Sequence, residues 1–172
     1  VVVERNLHAN PPRLWKNSEV TPTRIPPNSS ESEPRSGPSR PDPIGFALVG
    51  CGRIARKHAE ILGGNQIPGA RLVGVCDRIP ERSAELGAKY GVPAFSDFRE
   101  MAETLGDRVD VFSVLTPSGD HAEHALALAP YGKHLVVEKP MALRMEDADA
   151  MISAYDRAGT KLFVVKQNRC NL

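Results

Sequence analysis

The fold of this chain is decided by Phe46-Ala47-Leu48-Val49-Gly50-Cys51-Gly52-Arg53-Ile54-Ala55, an apolar run that breaks into a Gly-x-Gly-x-x-Ala turn and continues as helix. In such a turn the first glycine bends the chain out of a strand, and the second lets a pyrophosphate approach the bare backbone. The helix that begins near Arg53 offers unpaired N–H groups, which favour an anion. We therefore predict dinucleotide contacts at Gly50, Gly52, Arg53 and Ile54, although similar turns join strands to helices in proteins that bind nothing.

A second buried-strand pattern, Leu72-Val73-Gly74-Val75-Cys76, ends on Asp77, about 25 residues after the glycine turn. A carboxylate at this place accepts hydrogen bonds from both hydroxyls of the adenosine ribose and repels a 2′-phosphate. Asp77 therefore favours NAD over NADP. The neighbouring side chains Arg78 and Arg82 leave NADP open.

Composition limits the classes of function. With 172 residues and a net charge of +1, the chain is long enough for one domain and shows no basic stripe for nucleic acid and no polybasic membrane patch. No apolar run approaches the length of a transmembrane span. Cys51, Cys76 and Cys170 are scattered and odd in number, so neither a disulfide framework nor a zinc site is indicated, and a reducing cytoplasm is the simplest compartment.

The composition changes abruptly near residue 43. Nine of the fifteen prolines precede Ile44, interleaved with serine, asparagine and charges of both signs. Such a segment buries too little apolar surface to offset its ordering entropy, so we interpret residues 1–43 as a disordered tail. It contains no apolar core of a secretory signal. Because the chain begins with Val, we expect either a fragment or a tail translated from an upstream extension of the reading frame.

Regular patterning begins at Ile44, where strands alternate with helices. Beyond the first two strands, further strands are predicted at Val92–Phe95, Val109–Leu115, His134–Val137 and Lys161–Val165. Helices are predicted at Pro80–Tyr90, at Asp97–Leu105 with Ser96 as its cap, at Asp120–Tyr131 and at Glu146–Ala158. This alternation predicts an α/β fold over residues 44–172, a doubly wound parallel Rossmann sheet of six strands.

Polar loops follow the last three predicted strands, and a ligand of an open parallel sheet binds beyond the carboxyl ends of its strands. These loops are Thr116-Pro117-Ser118-Gly119-Asp120-His121, Glu138-Lys139-Pro140 and Lys166-Gln167-Asn168-Arg169. The sequence therefore predicts that the functional residues are concentrated in them.

The glycine turn, Asp77, Thr116-Pro117-Ser118 with His121, and Glu138-Lys139-Pro140-Met141-Ala142-Leu143 together resemble the glucose-fructose oxidoreductase, inositol dehydrogenase and rhizopine-catabolism (Gfo/Idh/MocA) family. The resemblance covers residues 44–172, and the Glu-Lys-Pro motif is its specific part. It implies an oxidoreductase that moves a hydride between nicotinamide and a hydroxyl-bearing carbon of a sugar, polyol or nucleotide sugar. Val164-Val165-Lys166-Gln167-Asn168-Arg169 is most similar to the branch that oxidises nucleotide-linked amino-sugar uronic acids.

The resemblance also implies roles for single residues. Lys139 would lie near the nicotinamide and exchange a proton with the reacting hydroxyl, and Glu138 would bond the nicotinamide ribose. Pro140 restricts Lys139 to an extended conformation and leaves a cis bond between them open. The remaining contacts to the nicotinamide half or the substrate would come from Thr116, Pro117, His121, Gln167 and Asn168.

A metal site is not predicted. His121 and His124 are spaced to share one helix face, but the sequence offers no matching third ligand.

The sequence leaves the function open. In this family a second α/β module with most of the substrate contacts should follow Leu172, so we expect the substrate domain to be absent and the chain to bind cofactor better than it catalyses. A non-catalytic NAD-binding or regulatory module is the alternative, although such a module has no need of Lys139. A methyltransferase that binds S-adenosylmethionine shares a glycine turn and an acid after the second strand, but the Glu138-Lys139-Pro140 turn disfavours it. The sequence identifies neither the substrate nor the oligomeric state.

Overall fold

The computed structural model describes residues 42–166. All but the last two residues of the predicted tail, 1–43, lie outside this range, as do Gln167 and Asn168. The described residues form the predicted α/β fold, a six-stranded parallel sheet with five α-helices. The strands are β1 (Ile44–Val49), β2 (Ala70–Cys76), β3 (Ala94–Phe95), β4 (Val111–Val114), β5 (His134–Val137) and β6 (Leu162–Val164). The helices are α1 (Arg53–Gly63), α2 (Pro80–Tyr90), α3 (Phe98–Leu105), α4 (His121–Leu128) and α5 (Met145–Arg157).

The strand order is β3-β2-β1-β4-β5-β6, so the direction in which the chain adds strands reverses between β1 and β4. The last residues of the strands are in register, because Val49 pairs with Cys76 and Val114, and Val137 pairs with Val114 and Val164. The segments that follow these strands therefore leave from one edge of the sheet. Ligands of this fold class bind at that edge, near the point of reversal.

Helices cover both faces of the sheet. Successive strand residues point to opposite faces, and Leu48 packs with the buried side chains of α1 and α2, whereas Ala47 and Val49 pack with those of α3, α4 and α5. Both clusters consist of fully or nearly fully buried hydrophobic side chains. Within residues 42–166, no helix is long and apolar enough to cross a bilayer.

Several predicted boundaries are wrong by a few residues, because neighbouring groups compete for the backbone. The N–H of Val92 bonds to Gly87 at the end of α2, which shortens β3, and the N–H of Val109 bonds to Gly106, which shortens β4. The N–H of Lys161 bonds to the ring of His134, and β6 is also shorter than predicted. Helix α5 begins and ends one residue earlier than predicted.

The predicted cap of α3, Ser96, is also wrong. Asp97 caps the helix instead, and its Oδ1 accepts hydrogen bonds from the N–H groups of Arg99 at 2.7 Å and Glu100 at 3.0 Å. The helix begins one residue later than expected, which puts the carboxylate of Asp97 at the position that satisfies the first free N–H groups.

The predicted helix Asp120–Tyr131 is α-helical only over α4. Short 3-10 turns, Ser118–Asp120 and Ala129–Tyr131, flank it. The second turn contains Pro130, which has no backbone N–H to continue the α-helical hydrogen bonds.

Candidate dinucleotide site

Gly50 is required by the fold. Its φ of +96° is a conformation that side-chain-bearing residues rarely adopt, and an added Cβ would lie 2.9 Å from the carbonyl carbon of Leu115 and the nitrogen of Thr116. Its N–H donates to Cys76 at 2.8 Å. The glycine turn is thus fixed against the segments that follow β2 and β4.

Gly52 is different, because neither its backbone nor its packing requires glycine. Its φ of −73° and ψ of −165° suit any residue, and no atom of the described chain lies within 4 Å of an added Cβ. Ala55, the small third residue of the motif, is fully buried between α1 and the sheet. The turn therefore leaves open space on the side where Gly52 lacks a side chain.

The N-terminus of α1 opens onto the same space. Gly52 is its N-cap and supplies no side chain to the free N–H groups, and the first turn contains no acidic residue. Arg53 and Ile54 are exposed there. The helix end is therefore suited to an anion, which its N–H groups and dipole would stabilise.

Asp77 joins the glycine turn to the loop before α2. Its Oδ2 accepts a hydrogen bond from the N–H of Cys51 at 2.7 Å, and its Oδ1 accepts one from the N–H of Ile79 at 2.9 Å. Each oxygen keeps a second lone pair, so the carboxylate can accept further hydrogen bonds. Arg78 beside it is exposed. Burial, with a smaller contribution from Asp77, raises the pKa of the Cys51 thiol to about 12.

Thr116 follows β4 and is held by a histidine that the sequence analysis did not assign to the site. The Thr116 Oγ1 lies 3.0 Å from Nδ1 of His124, and the imidazole makes a T-shaped contact with the Phe98 ring, with 4.9 Å between ring centroids. Burial lowers the pKa of His124, which favours the neutral ring that can accept from the hydroxyl. Pro117 is exposed at the start of the following turn.

His121 links two loops of the site. Its Nε2 lies 2.8 Å from the carbonyl oxygen of Thr116, and its Nδ1 lies 2.8 Å from that of Pro140. The residue is 1% exposed. The ring is therefore enclosed by the protein, and both nitrogens already face backbone acceptors, so it supports the loops that a ligand would contact.

The Glu138-Lys139-Pro140 turn follows β5 and contains a cis peptide bond between Lys139 and Pro140. Glu138 is 8% exposed, and its Oε2 accepts a hydrogen bond from the N–H of Lys139 at 3.1 Å. Its Oε1 lies 3.6 Å from Nε2 of His58, a residue of α1 that the sequence analysis did not assign to the site. The side chain of Lys139 is exposed.

One edge of the sheet therefore brings together most of the predicted site residues. The glycine turn, Asp77, Thr116 and the Glu138 turn all follow strands whose last residues are paired in register. Among the described residues, no group of three His, Cys, Asp or Glu side chains is arranged to hold a metal ion.

Residues 44–166 match the sequence model of the Gfo/Idh/MocA oxidoreductase family, which describes its NAD-binding Rossmann fold. The chain belongs to this family. The resemblance drawn from the glycine turn and the Glu-Lys-Pro motif is confirmed. The domain is the family's NAD-binding Rossmann domain, and members of the family include NAD(P)-dependent dehydrogenases of sugars and polyols.

Relatives of known structure or activity match this chain over less than half of their own length. The WlbA dehydrogenase of Bordetella pertussis, solved with NADH and UDP-GlcNAcA, is 43% identical with a TM-score of 0.70, over 75% of this chain and 38% of its own. The 4-carboxy-2-hydroxymuconate-6-semialdehyde dehydrogenase of a Sphingobium species is 36% identical over 127 residues, 73% of this chain and 39% of the relative. The NADP⁺-dependent scyllo-inositol 2-dehydrogenase of Bacillus subtilis is 34% identical over 120 residues, 69% of this chain and 35% of the relative. The chain thus spans less than two fifths of the length of these relatives.

Proposed function

We propose that residues 44–166 are the cofactor half of a dehydrogenase that transfers a hydride between a nicotinamide dinucleotide and a hydroxyl-bearing carbon of a sugar, polyol or nucleotide sugar. One observation carries the proposal: position 52 is a glycine, although the fold has room and a suitable backbone for a side chain there. A ligand that must approach the backbone closely explains the missing side chain. Family membership supports the same conclusion.

The residues present fit the cofactor along its length. The N–H groups at the start of α1, with Gly52 and the exposed residues Arg53 and Ile54, would hold the pyrophosphate. The free lone pairs of Asp77, beside Arg78, would accept from the adenosine ribose. Thr116, Pro117 and Glu138 would contact the nicotinamide half. The bound cofactor would supply the site that accepts or donates the hydride.

Lys139 is proposed to hold and exchange the proton of the reacting hydroxyl. Its exposed ammonium follows Glu138 at the carboxyl end of β5, on the edge where the nicotinamide half would lie. In the full-length protein, assayed with a sugar or polyol substrate, we expect Lys139→Met to lower kcat about 10²- to 10⁴-fold, the usual scale for a positioned acid-base group. NADH affinity should change little. A normal kcat in the Lys139→Met variant would show that Lys139 does not have this role.

The substrate class is drawn from one relative. The WlbA structure, 43% identical to this chain, contains UDP-GlcNAcA, and this supports a nucleotide-linked amino-sugar uronic acid as the substrate of the whole protein. Gln167 and Asn168, outside the described residues, stay predicted contacts at the border of nicotinamide and substrate.

Gly52→Ala tests the proposal. The added methyl group has free space and an allowed backbone, so the free energy of unfolding should change by less than about 1 kcal/mol. The same methyl group would occupy the path of the pyrophosphate, so calorimetric titration should show NADH affinity falling at least about tenfold. Urea unfolding of the same variant is the control for folding. Unchanged NADH affinity in a folded variant would contradict the proposed cofactor position.

A further inference from the structure

His58 connects α1 to the Glu138 turn, although neither the motif nor the proposed function uses it. Its side chain is 21% exposed, and its Nε2 lies 3.6 Å from Oε1 of Glu138. Helix α1 follows β1 and its buried side chains pack on the face that contains Leu48, whereas Glu138 follows β5, two strands away. The contact therefore joins the pyrophosphate end of the proposed site to its nicotinamide end.

The carboxylate of Glu138 needs a partner on this side. Its side chain is 10% exposed, and a carboxylate withdrawn from water is costly unless it is paired. Its Oε2 accepts from the N–H of Lys139, while Oε1 faces His58. Within residues 42–166, His58 is the one basic side chain with a nitrogen within 4.0 Å of this carboxylate.

We propose that His58 is a positioning residue that fixes the Glu138 carboxylate for the nicotinamide ribose, an inference that rests on the proposed binding of a nicotinamide dinucleotide. Nε2 of His58 faces Oε1 at 3.6 Å, just beyond hydrogen-bond distance, and the backbone N–H of Lys139 donates to Oε2. The carboxylate is then held on both oxygens, and its remaining lone pairs stay available to a ribose hydroxyl. Burial lowers the pKa of His58 and Glu138 opposes that shift, and both the neutral Nε2–H ring and the protonated ring can make this contact.

If His58 has this role, its loss should affect binding of the nicotinamide half of the cofactor and not binding of the ADP half. His58 acts on Glu138, and the groups proposed for the pyrophosphate and the adenosine ribose, Gly52 and Asp77, are placed without it. Loss of the His58 contact should weaken NADH and leave ADP, which has no nicotinamide ribose, unaffected. A residue needed only for folding would weaken both ligands alike.

The experiment measures the dissociation constants of NADH and ADP by titration calorimetry for the whole chain and its variants, with thermal unfolding as the check on folding. His58→Leu should weaken NADH affinity about tenfold, because the largely buried carboxylate of Glu138 loses its basic neighbour, and it should change ADP affinity less than twofold. His58→Gln, whose amide can reach Glu138, should restore most of the affinity, and the shorter His58→Asn should not. His134→Gln, at the opposite end of β5, is the matched control and should change the affinity for neither ligand.

A double-mutant cycle tests whether His58 acts through Glu138. In a Glu138→Gln background, His58→Leu should cost no further NADH affinity, because the carboxylate that it positions is gone. Equal weakening of NADH and ADP, normal NADH binding by His58→Leu, or additive effects in the cycle would each overturn the inference. If His58→Leu does not fold, His58→Asn carries the same comparison. A folded wild-type chain that binds neither ligand would overturn the proposed function as well. If the wild-type chain binds NADH and His58→Leu binds it equally well, only this inference is overturned.

Discussion

At the scale of single residues, Asp77 serves both the fold and the proposed site. Its two oxygens accept the N–H groups of Cys51 and Ile79, which anchors the glycine turn to the loop before α2. The residue is 8% exposed, and its carboxylate keeps lone pairs for a ligand. Removing it would loosen the turn as well as remove a ribose contact, so comparing two ligands on the unaltered chain is a cleaner test than a substitution.

We expect this chain to bind NAD⁺ at least about tenfold more tightly than NADP⁺, because the fixed carboxylate of Asp77 accepts from ribose hydroxyls and repels a 2′-phosphate. Calorimetric titration of both cofactors at one salt concentration measures the ratio. Arg78 is exposed next to Asp77, and it is the group that could reverse the preference by binding the 2′-phosphate of NADP⁺. Equal or tighter NADP⁺ binding would contradict the role given to Asp77.

The positions of the site residues could be predicted from the sequence, but their contacts could not. A turn after each apolar run is enough to locate Asp77, Thr116 and Glu138 at one edge of a parallel sheet. The enclosure of His121 depends on the Pro140 loop, which is 19 residues further along the chain, and the approach of His58 to Glu138 depends on how α1 packs. A pattern of single residues along the chain contains no information about such distances.

At the scale of the elements, α3 offers a direct test of what begins a helix. We expect Asp97→Ala to lower the free energy of unfolding by about 1 kcal/mol, because the carboxylate caps two N–H groups of the first turn. Urea unfolding measures the loss. Ser96→Ala, at the exposed neighbouring position, is the matched control and should stay within about 0.5 kcal/mol of wild type. A larger loss for Ser96→Ala than for Asp97→Ala would contradict the observed cap.

Local chemistry explains which elements the sequence could predict. Helix α2 has the predicted bounds, because Pro80 favours the first turn and Gly91, with a φ of 67°, ends it. Strands β3 and β4 are shorter than their apolar runs, since burial does not require strand pairing and Val92 and Val109 are bonded in turns instead. Alternation of element types is encoded locally, whereas the last paired residue of a strand is decided by its neighbours in the sheet.

At the scale of the whole molecule, two half-buried histidines couple folding to pH. Burial lowers the pKa of His58 and of His124 below the ordinary value of 6.5. Nearby Glu138 opposes the shift for His58, and Asp120 and Glu123 oppose it for His124, whereas His121 and Arg99 add to it. The unfolded chain therefore takes up protons at these rings more readily than the folded chain.

We expect the stability contributed by these rings to be fully present above about pH 6.5 and to be lost as the pH falls through their lowered pKa values. Thermal unfolding should thus show a lower Tm at pH 5.5 than at pH 7.5. His124→Gln should reduce the difference, because it removes one of the two titrating rings. A Tm that is unchanged or higher at pH 5.5 would contradict the burial of these histidines.

The central claim is that a nicotinamide dinucleotide binds at the carboxyl edge of this sheet, and amide chemical-shift mapping of the chain during a titration with NADH tests it most directly. We predict saturable shifts confined to the glycine turn and the segments after β2, β4 and β5, namely at Gly50, Gly52, Arg53, Asp77, Thr116, Glu138 and Lys139. The opposite edge, at Gly45, Asp110 and His134, should stay unchanged, since its backbone hydrogen bonds lie at the other ends of the strands. Saturable shifts at that opposite edge, or no saturable shift in a folded chain, would contradict the account.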